Sequence, residues 1–227
     1  MIPAHKTWPA TACIDAYVGW KVRRAFRGVW IRGPLPEGPA PLIVYANHGS
    51  FWDGFVAHQV SRAGRWDGYC MMEERMLARY RFLARLGAFS IRRHDARSTL
   101  ETFRYARRLL RRPRGTVFVF PEGELRPVPT LPLVLERGIE VLARHAGARC
   151  APLAIRYVFL EDERPDVLLA IGEPHPPAAL PEMKTRLEAL LEAVLEARGT
   201  SGFRPLVRGR RSVAARWDTV RGLGAEA

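Results

Sequence analysis

Cysteine is scarce and scattered in this chain. Cys13, Cys70 and Cys150 are odd in number, lie far apart and form no C-x-x-C pair, which argues against a disulfide framework and against a cysteine zinc site; a reducing compartment fits best. Lysine is rarer still for so basic a protein, occurring only as Lys6, Lys21 and Lys184, so arginine carries the formal net charge of +13. That excess points to an anionic partner: a nucleic acid, an anionic bilayer or a phosphorylated small molecule. Alanine, leucine and proline are abundant too, so biased residue usage accounts for part of the charge. No run approaches the ~18 apolar residues of a membrane span, and the opening MIPAHKTWPATACIDAYVGW lacks a signal-peptide layout. The expected location is the cytoplasm, peripheral on the inner face of the cell membrane.

Several chemical signatures are missing as well. His5, His58, His94, His145 and His175 have no carboxylate or second histidine at metal-ligand spacing, and there is no H-E-x-x-H, so no metal is expected. The absence of a G-x-S-x-G elbow, a Walker-type loop and a dinucleotide fingerprint disfavours a serine hydrolase, an NTPase and a Rossmann oxidoreductase. Without an RNA-binding aromatic strand motif or a clear helix-turn-helix, no specific nucleic acid is expected as partner.

With 48% apolar and 26% charged residues over 227 positions, the chain has the composition of a folded protein and enough length for one core. Short β-branched or aromatic runs begin at Leu42, Gly68, Gly87, Gly115, Ala151 and Asp166, each bounded by turn residues. Helical periodicity links Met76, Leu77, Tyr80 and Leu83; then Leu100, Phe103, Ala106 and Leu110; then Met183, Leu187, Leu190, Leu191 and Val194. This alternation predicts a single α/β domain over 33–199, with a mostly parallel central sheet flanked by helices. An amphipathic helix over 1–32 precedes it, and a basic tail over 200–227 follows, in which 213–220 reads as a helix or as disordered. Within 8–31, Trp8, Ile14, Tyr17, Val18, Trp20, Phe26, Val29 and Trp30 offer an apolar surface, beside Lys21, Arg23, Arg24 and Arg27. That pattern suits a segment lying on an anionic membrane surface, or one covering a face of the domain. The arginines of the helix around Leu110 read as a solvated face.

Two clusters fall just after strands, where α/β folds place their ligand crevice. After the first strand come Asn47, His48, Ser50 and Asp53, a histidine and a carboxylate in N-H-x-S-x-x-D. Histidine accepts a proton near neutral pH, and a neighbouring carboxylate fixes its tautomer and stabilises the imidazolium. If the helix begins at Ser50, the two side chains can fold towards each other across the turn at Gly49. The same residues also read as a capping box, with Ser50 as cap and Asp53 answering it. After the strand at Gly115 come Phe120, Pro121, Glu122, Gly123, Glu124, Leu125 and Arg126, where a glycine permits close approach to the backbone and an arginine can grip a phosphate.

Together these clusters resemble the glycerolipid acyltransferase family, which includes the lysophosphatidic acid acyltransferases. The family pattern is N-H-x-S-x-x-D, G-x-x-x-I-x-R, F-P-E-G-T-R-S and a V-P-type strand, in that order. Here it is met by Asn47, His48, Ser50 and Asp53; by Gly87, Ile91 and Arg93; by Phe120, Pro121, Glu122 and Gly123; and by Ala151, Pro152 and Leu153, over 42–172. The resemblance implies His48 and Asp53 as catalytic residues, with Arg93, Glu122, Gly123 and Arg126 at the substrate. It implies no cofactor beyond the donor substrate, acyl-CoA or acyl carrier protein, and a lipid hydroxyl as acceptor. Backbone amides near Gly49, or an arginine, are the candidates for stabilising the developing charge. The third motif departs from the family, with Glu124 and Leu125 where Thr and Arg are usual. That departure leaves open lysophosphatidate, a glycosylated terpenoid or another uncharged lipid as acceptor. The competing reading is a non-catalytic basic module that binds anionic membrane or nucleic acid.

Overall fold

The computed structural model of the chain describes residues 1–7, 10–38, 41–160 and 162–210. Its centre is one eight-stranded sheet. The strands are β1 (Gly28–Arg32), β2 (Leu42–Ala46), β3 (Asp67–Glu73), β4 (Ala88–Ile91), β5 (Gly115–Val119), β6 (Arg149–Val158), β7 (Asp166–Ile171) and β8 (Arg204–Arg208), in the spatial order β4-β3-β5-β2-β6-β7-β1-β8. Pairing is parallel except for β6 with β7 and β1 with β8. The α/β domain with a mostly parallel sheet is therefore as the sequence predicts, and all six expected strands are present.

Helices α1 (Ala10–Ala25), α2 (Asp53–Ala63) and α3 (Glu74–Arg79), with a 3-10 turn over Arg81–Leu86, cover one face of the sheet. Helices α4 (Ala96–Leu110), α5 (Gly138–Ala146) and α6 (Leu180–Leu195) cover the other. The central strands are buried on both faces; β2 accordingly reads as an unbroken apolar run, and β5 as one from Val117 onward. Helix α4 starts where Asp95 accepts the Ser98 N–H at 3.0 Å, a side-chain cap on an otherwise unpaired donor. The 3-10 turn ends at Gly87, whose φ of 101° favours glycine and where a Cβ would sit 2.7 Å from the Gly68 carbonyl oxygen.

The connections set up the site. The chain leaves β2 through α2 on one face, whereas it leaves the adjacent β5 towards α5 on the opposite face. Loops that part in this way open a crevice between neighbouring carboxyl ends, the switch point at which α/β sheets bind ligands.

The two ends of the chain require correction. The helix predicted over 1–32 is observed as Ala10–Ala25, and Gly28–Arg32 is a sheet strand between β7 and β8. The reason is burial: Val18, Val22, Phe26, Val29 and Ile31 all pack into the core. Of the eight apolar residues expected on a membrane-facing surface, Tyr17 and Trp20 are exposed; Trp8 lies outside the described residues. The region after Gly199 contributes the edge strand β8, and the helix-or-disorder expectation for 213–220 falls outside the described residues.

A consequence for stability follows. Those five buried side chains contribute about 1.5–3 kcal/mol each, so their sum rivals the ~5–15 kcal/mol that holds a whole domain together. Deleting residues 1–32 is expected to abolish the cooperative thermal transition seen by circular dichroism. A shortened protein that still melts cooperatively with a native-like spectrum would mark this segment as an appendage.

Candidate active site

The site begins at the end of β2. Asn47 prolongs the strand with its side chain: Nδ2 donates to the Ile155 carbonyl at 2.9 Å, and Oδ1 accepts the Ile155 N–H at 2.8 Å. This mimicry of a backbone ladder locks the end of β2 to β6 and fixes where the next residue leaves the sheet. That residue is His48. Its N–H donates to Glu122 Oε1 at 2.7 Å, and its carbonyl accepts the Arg126 N–H at 2.7 Å. The loop after β5 thus holds the histidine backbone from both sides. Strands β2 and β5 run in register, with Tyr45 beside Val119, so Phe120 comes level with the turn and its ring stacks on the imidazole at 4.6 Å.

Asp53 is the first residue of α2 and is fully buried. Its Oδ2 lies 2.8 Å from His48 Nδ1 and accepts the N–H groups of Gly49 and Ser50, each at 2.9 Å. Its Oδ1 accepts the Tyr157 hydroxyl at 2.6 Å. Four donors therefore converge on one carboxylate, which also benefits from the positive end of α2. The helix starts at Asp53 rather than Ser50, because residues 50–52 form a turn in which Asp53 N–H reaches the Ser50 carbonyl. Ser50 is not the helix cap: Trp52 holds that position without a side-chain cap bond, and the Ser50 hydroxyl accepts the Trp52 N–H at 3.2 Å, so only the return half of the expected capping box is present. Asp53 satisfies the Ser50 amide with the same oxygen that lies against His48. Its pairing with Nδ1 leaves Nε2 without a hydrogen-bond partner among the described residues.

Tyr157 is the residue that sequence reasoning missed. It lies 104 positions from Asp53, two residues beyond Ile155 on the same face of β6, and burial first, then the Asp53 charge, push its hydroxyl pKa well up. No local pattern marks a contact between positions so far apart.

His48 forms part of the wall of a cavity of about 500 Å³. Most of the wall is apolar and includes Phe51, Phe55, Met71, Met72, Phe103 and Leu142. A volume of this order suits a small-molecule ligand. Arg93, Gly123 and Glu124 also line it. Gly123 has a φ of 72°, and a Cβ there would meet Arg93 Nη1 at 2.6 Å, so the absence of a side chain lets the arginine lie over the turn. Arg126 is not part of the cavity wall; its Nε approaches Glu122 Oε2 at 3.5 Å. The Gly49 amide, a candidate for stabilising developing charge, is already committed to Asp53.

Two other reactive side chains reach the wall. Cys70 has its thiol pKa pushed up to about 12 by burial, so it does not supply a thiolate at neutral pH. His58 has Nε2 within 2.8 Å of Asp15 Oδ1 and ties α2 to α1, while burial lowers its pKa. No group of three or more metal-ligating side chains occurs among the described residues.

Glu122 is nearly buried, and desolvation raises its pKa against the opposing pull of the His48 N–H, Arg126 and His48. A carboxyl raised in the folded state contributes stability below its unfolded value of ~4.3 and loses that contribution as pH rises through the folded value. Glu122→Gln keeps an oxygen for the His48 N–H and removes the titration. Urea unfolding between about pH 4 and 7 is expected to show the wild type losing stability relative to the variant as pH rises. Parallel curves would refute a raised Glu122.

No curated protein matches the chain. A family model described as Acyltransferase matches residues 32–156, more than half of the chain's length, from the end of β1 to Arg156 on β6; the chain belongs to that family.

Proposed function

We propose that the protein transfers a fatty acyl group from a thioester, acyl-CoA or acyl carrier protein, to a lipid hydroxyl, with His48 as general base and Asp53 as its orienting partner. The observation that carries this reading is the Nδ1 bond to Asp53, which leaves Nε2 at the wall of an apolar cavity. As the acceptor oxygen bonds to the thioester carbonyl carbon, Nε2 takes the hydroxyl proton. The tetrahedral intermediate then expels the thiolate, which recovers that proton from the imidazolium as a thiol. Arg93 is the remaining candidate to face the carbonyl oxygen or an acceptor phosphate, since the Gly49 amide is engaged elsewhere. No cofactor is required, because the thioester supplies the activation.

His48→Ala is expected to lower transfer by about 10²–10⁴-fold in a folded protein, and Asp53→Asn by as much or less. Tyr157→Phe removes one of four bonds to Asp53 and acts through it, so we expect a loss of about fivefold in kcat with both KM values unchanged and a shifted pH–rate profile. A normal rate in folded His48→Ala would end this mechanism.

The acceptor we favour is a phosphorylated lysolipid such as lysophosphatidate, because Arg93 lines the cavity near His48. One observation favours an uncharged or glycosylated lipid instead: Glu124, replacing the usual threonine, has Oε1 4.0 Å from Arg93 Nη2 on the same wall. We place the protein on the inner face of the cell membrane, with Tyr17, Trp20, Arg23 and Arg24 of α1 on its exposed side. For a phosphorylated acceptor, Arg93→Ala is expected to raise the acceptor KM about tenfold or more without a matching change for the donor. Unchanged acceptor dependence in both Arg93→Ala and Arg126→Ala, measured with labelled acyl donor, would select the uncharged headgroup.

A further inference from the structure

Between the turn at Gly123 and helix α5, the chain makes an excursion in which Leu133 is buried in the core while several other apolar side chains are exposed. Leu125, Val128, Leu131 and Val134 are 50%, 73%, 38% and 61% exposed. Single exposed apolar residues are ordinary, but four within one loop form a patch. Residues 125–134 carry a single charge, Arg126, and three prolines, Pro127, Pro129 and Pro132. The loop is held at both ends: the Arg126 N–H on the His48 carbonyl, the Leu133 N–H on Glu188 Oε1 and the Glu136 N–H on the Pro121 carbonyl, each at 2.7 Å. Leu125 is part of the wall of the cavity that contains His48.

We infer that residues 127–132 are a second membrane contact, a stiff loop that enters the interfacial layer of an anionic bilayer and sets the cavity mouth against the lipid. Three features favour a bilayer as the occupant. Prolines have no N–H, so three of the donors that entry into an apolar layer would strand are already absent. Anchors at both ends mean that little chain entropy is lost on insertion. Residues 127–132 carry no acidic side chain to repel an anionic surface, and the net charge of +13 complements one. The position adds a fourth, because a lipid tail can pass from the bilayer past Leu125 into the cavity without crossing water. This inference rests on the lipid acceptor proposed above.

The test uses the full chain and vesicles of phosphatidylcholine mixed with phosphatidylglycerol. Val128→Cys in a Cys13→Ser background, labelled with an environment-sensitive nitrobenzoxadiazole, is expected to shift to the blue and brighten when vesicles are added. The double variant Val128→Asp, Leu131→Asp is expected to partition about tenfold more weakly, with unchanged melting and unchanged transfer between a short-chain thioester and a water-soluble alcohol. An unresponsive probe on protein that still co-sediments would overturn the loop's role and leave α1 as the contact. A change in self-association of the double variant, with vesicle binding intact, would overturn it in favour of a second copy of the chain on this face. Failure of the wild type to bind vesicles would overturn it as well, yet the acyl-transfer reading would survive if soluble transfer persists. A responsive loop on a protein inactive towards the soluble thioester would support the docking surface and defeat the acyl-transfer reading.

Discussion

The buried carboxylate of Asp53 is the constraint on which the rest of the site depends. An ionised group without exposure is tolerated only when its acceptor capacity is filled. Here the filling comes from three directions: the His48 ring, the amides of Gly49 and Ser50, and the Tyr157 hydroxyl on a different strand. Each bond fixes something. The amides shape the turn, the ring is oriented, and Tyr157 ties the start of α2 to β6. A single anion thereby couples the helix start, the sheet and the direction in which Nε2 faces. Loss of that charge disturbs both folding and the histidine, and variants at position 53 have to be read with stability measured beside rate.

The sheet supplies the second half of the arrangement. Parallel pairing of β2 with β5 brings two loops side by side that are 74 residues apart in sequence, at His48 and Glu122. Departure of the chain to opposite faces leaves room between them. Arg93, beyond β4, crosses the end of β3 to lie against Gly123. The motif residues therefore meet because of strand order rather than through any attraction of their own, and the ionic contacts among them are secondary. Arg126 and Glu122 at 3.5 Å, with the arginine side chain 39% exposed, form a pair of small energetic weight.

The sequence's legibility followed the range of the interactions. Strands such as β2 and β5 are buried on both faces, so a run of apolar residues between turns is enough to find them. The pairing of His48 with Asp53 is five residues long and was equally visible. Strand β1 was not: GVWIR follows a helical pattern without a strong break, and its place in the sheet comes from pairing with β7, 138 positions away in the register of Gly28 with Asp166. Helix α5, nine residues capped by Gly147, is too short to carry a distinct helical period between the loop and β6. Tyr157 was illegible for the same reason as β1, since its partner is chosen by topology. In the N-terminal segment periodicity does not separate a core-facing side from a solvent-facing one: Val18 and Val22 serve the core, whereas Tyr17 and Trp20 of the same helix are exposed.

The exchange at position 124 illustrates what a motif does not specify. Glu124 is 69% exposed, with its carboxylate 4.0 Å from the Arg93 guanidinium. At such a separation in water the attraction is about 1 kcal/mol, too little to fix the pair. A phosphate that forms paired charge-assisted bonds can displace this carboxylate, whereas an uncharged headgroup meets a wall carrying both donors and acceptors. The substitution therefore lowers the net positive potential near His48 without removing the arginine. The backbone of Gly123, set at a φ of 72° with Arg93 Nη1 where a Cβ would lie, is the element that lets the guanidinium come within reach of the neighbouring Glu124.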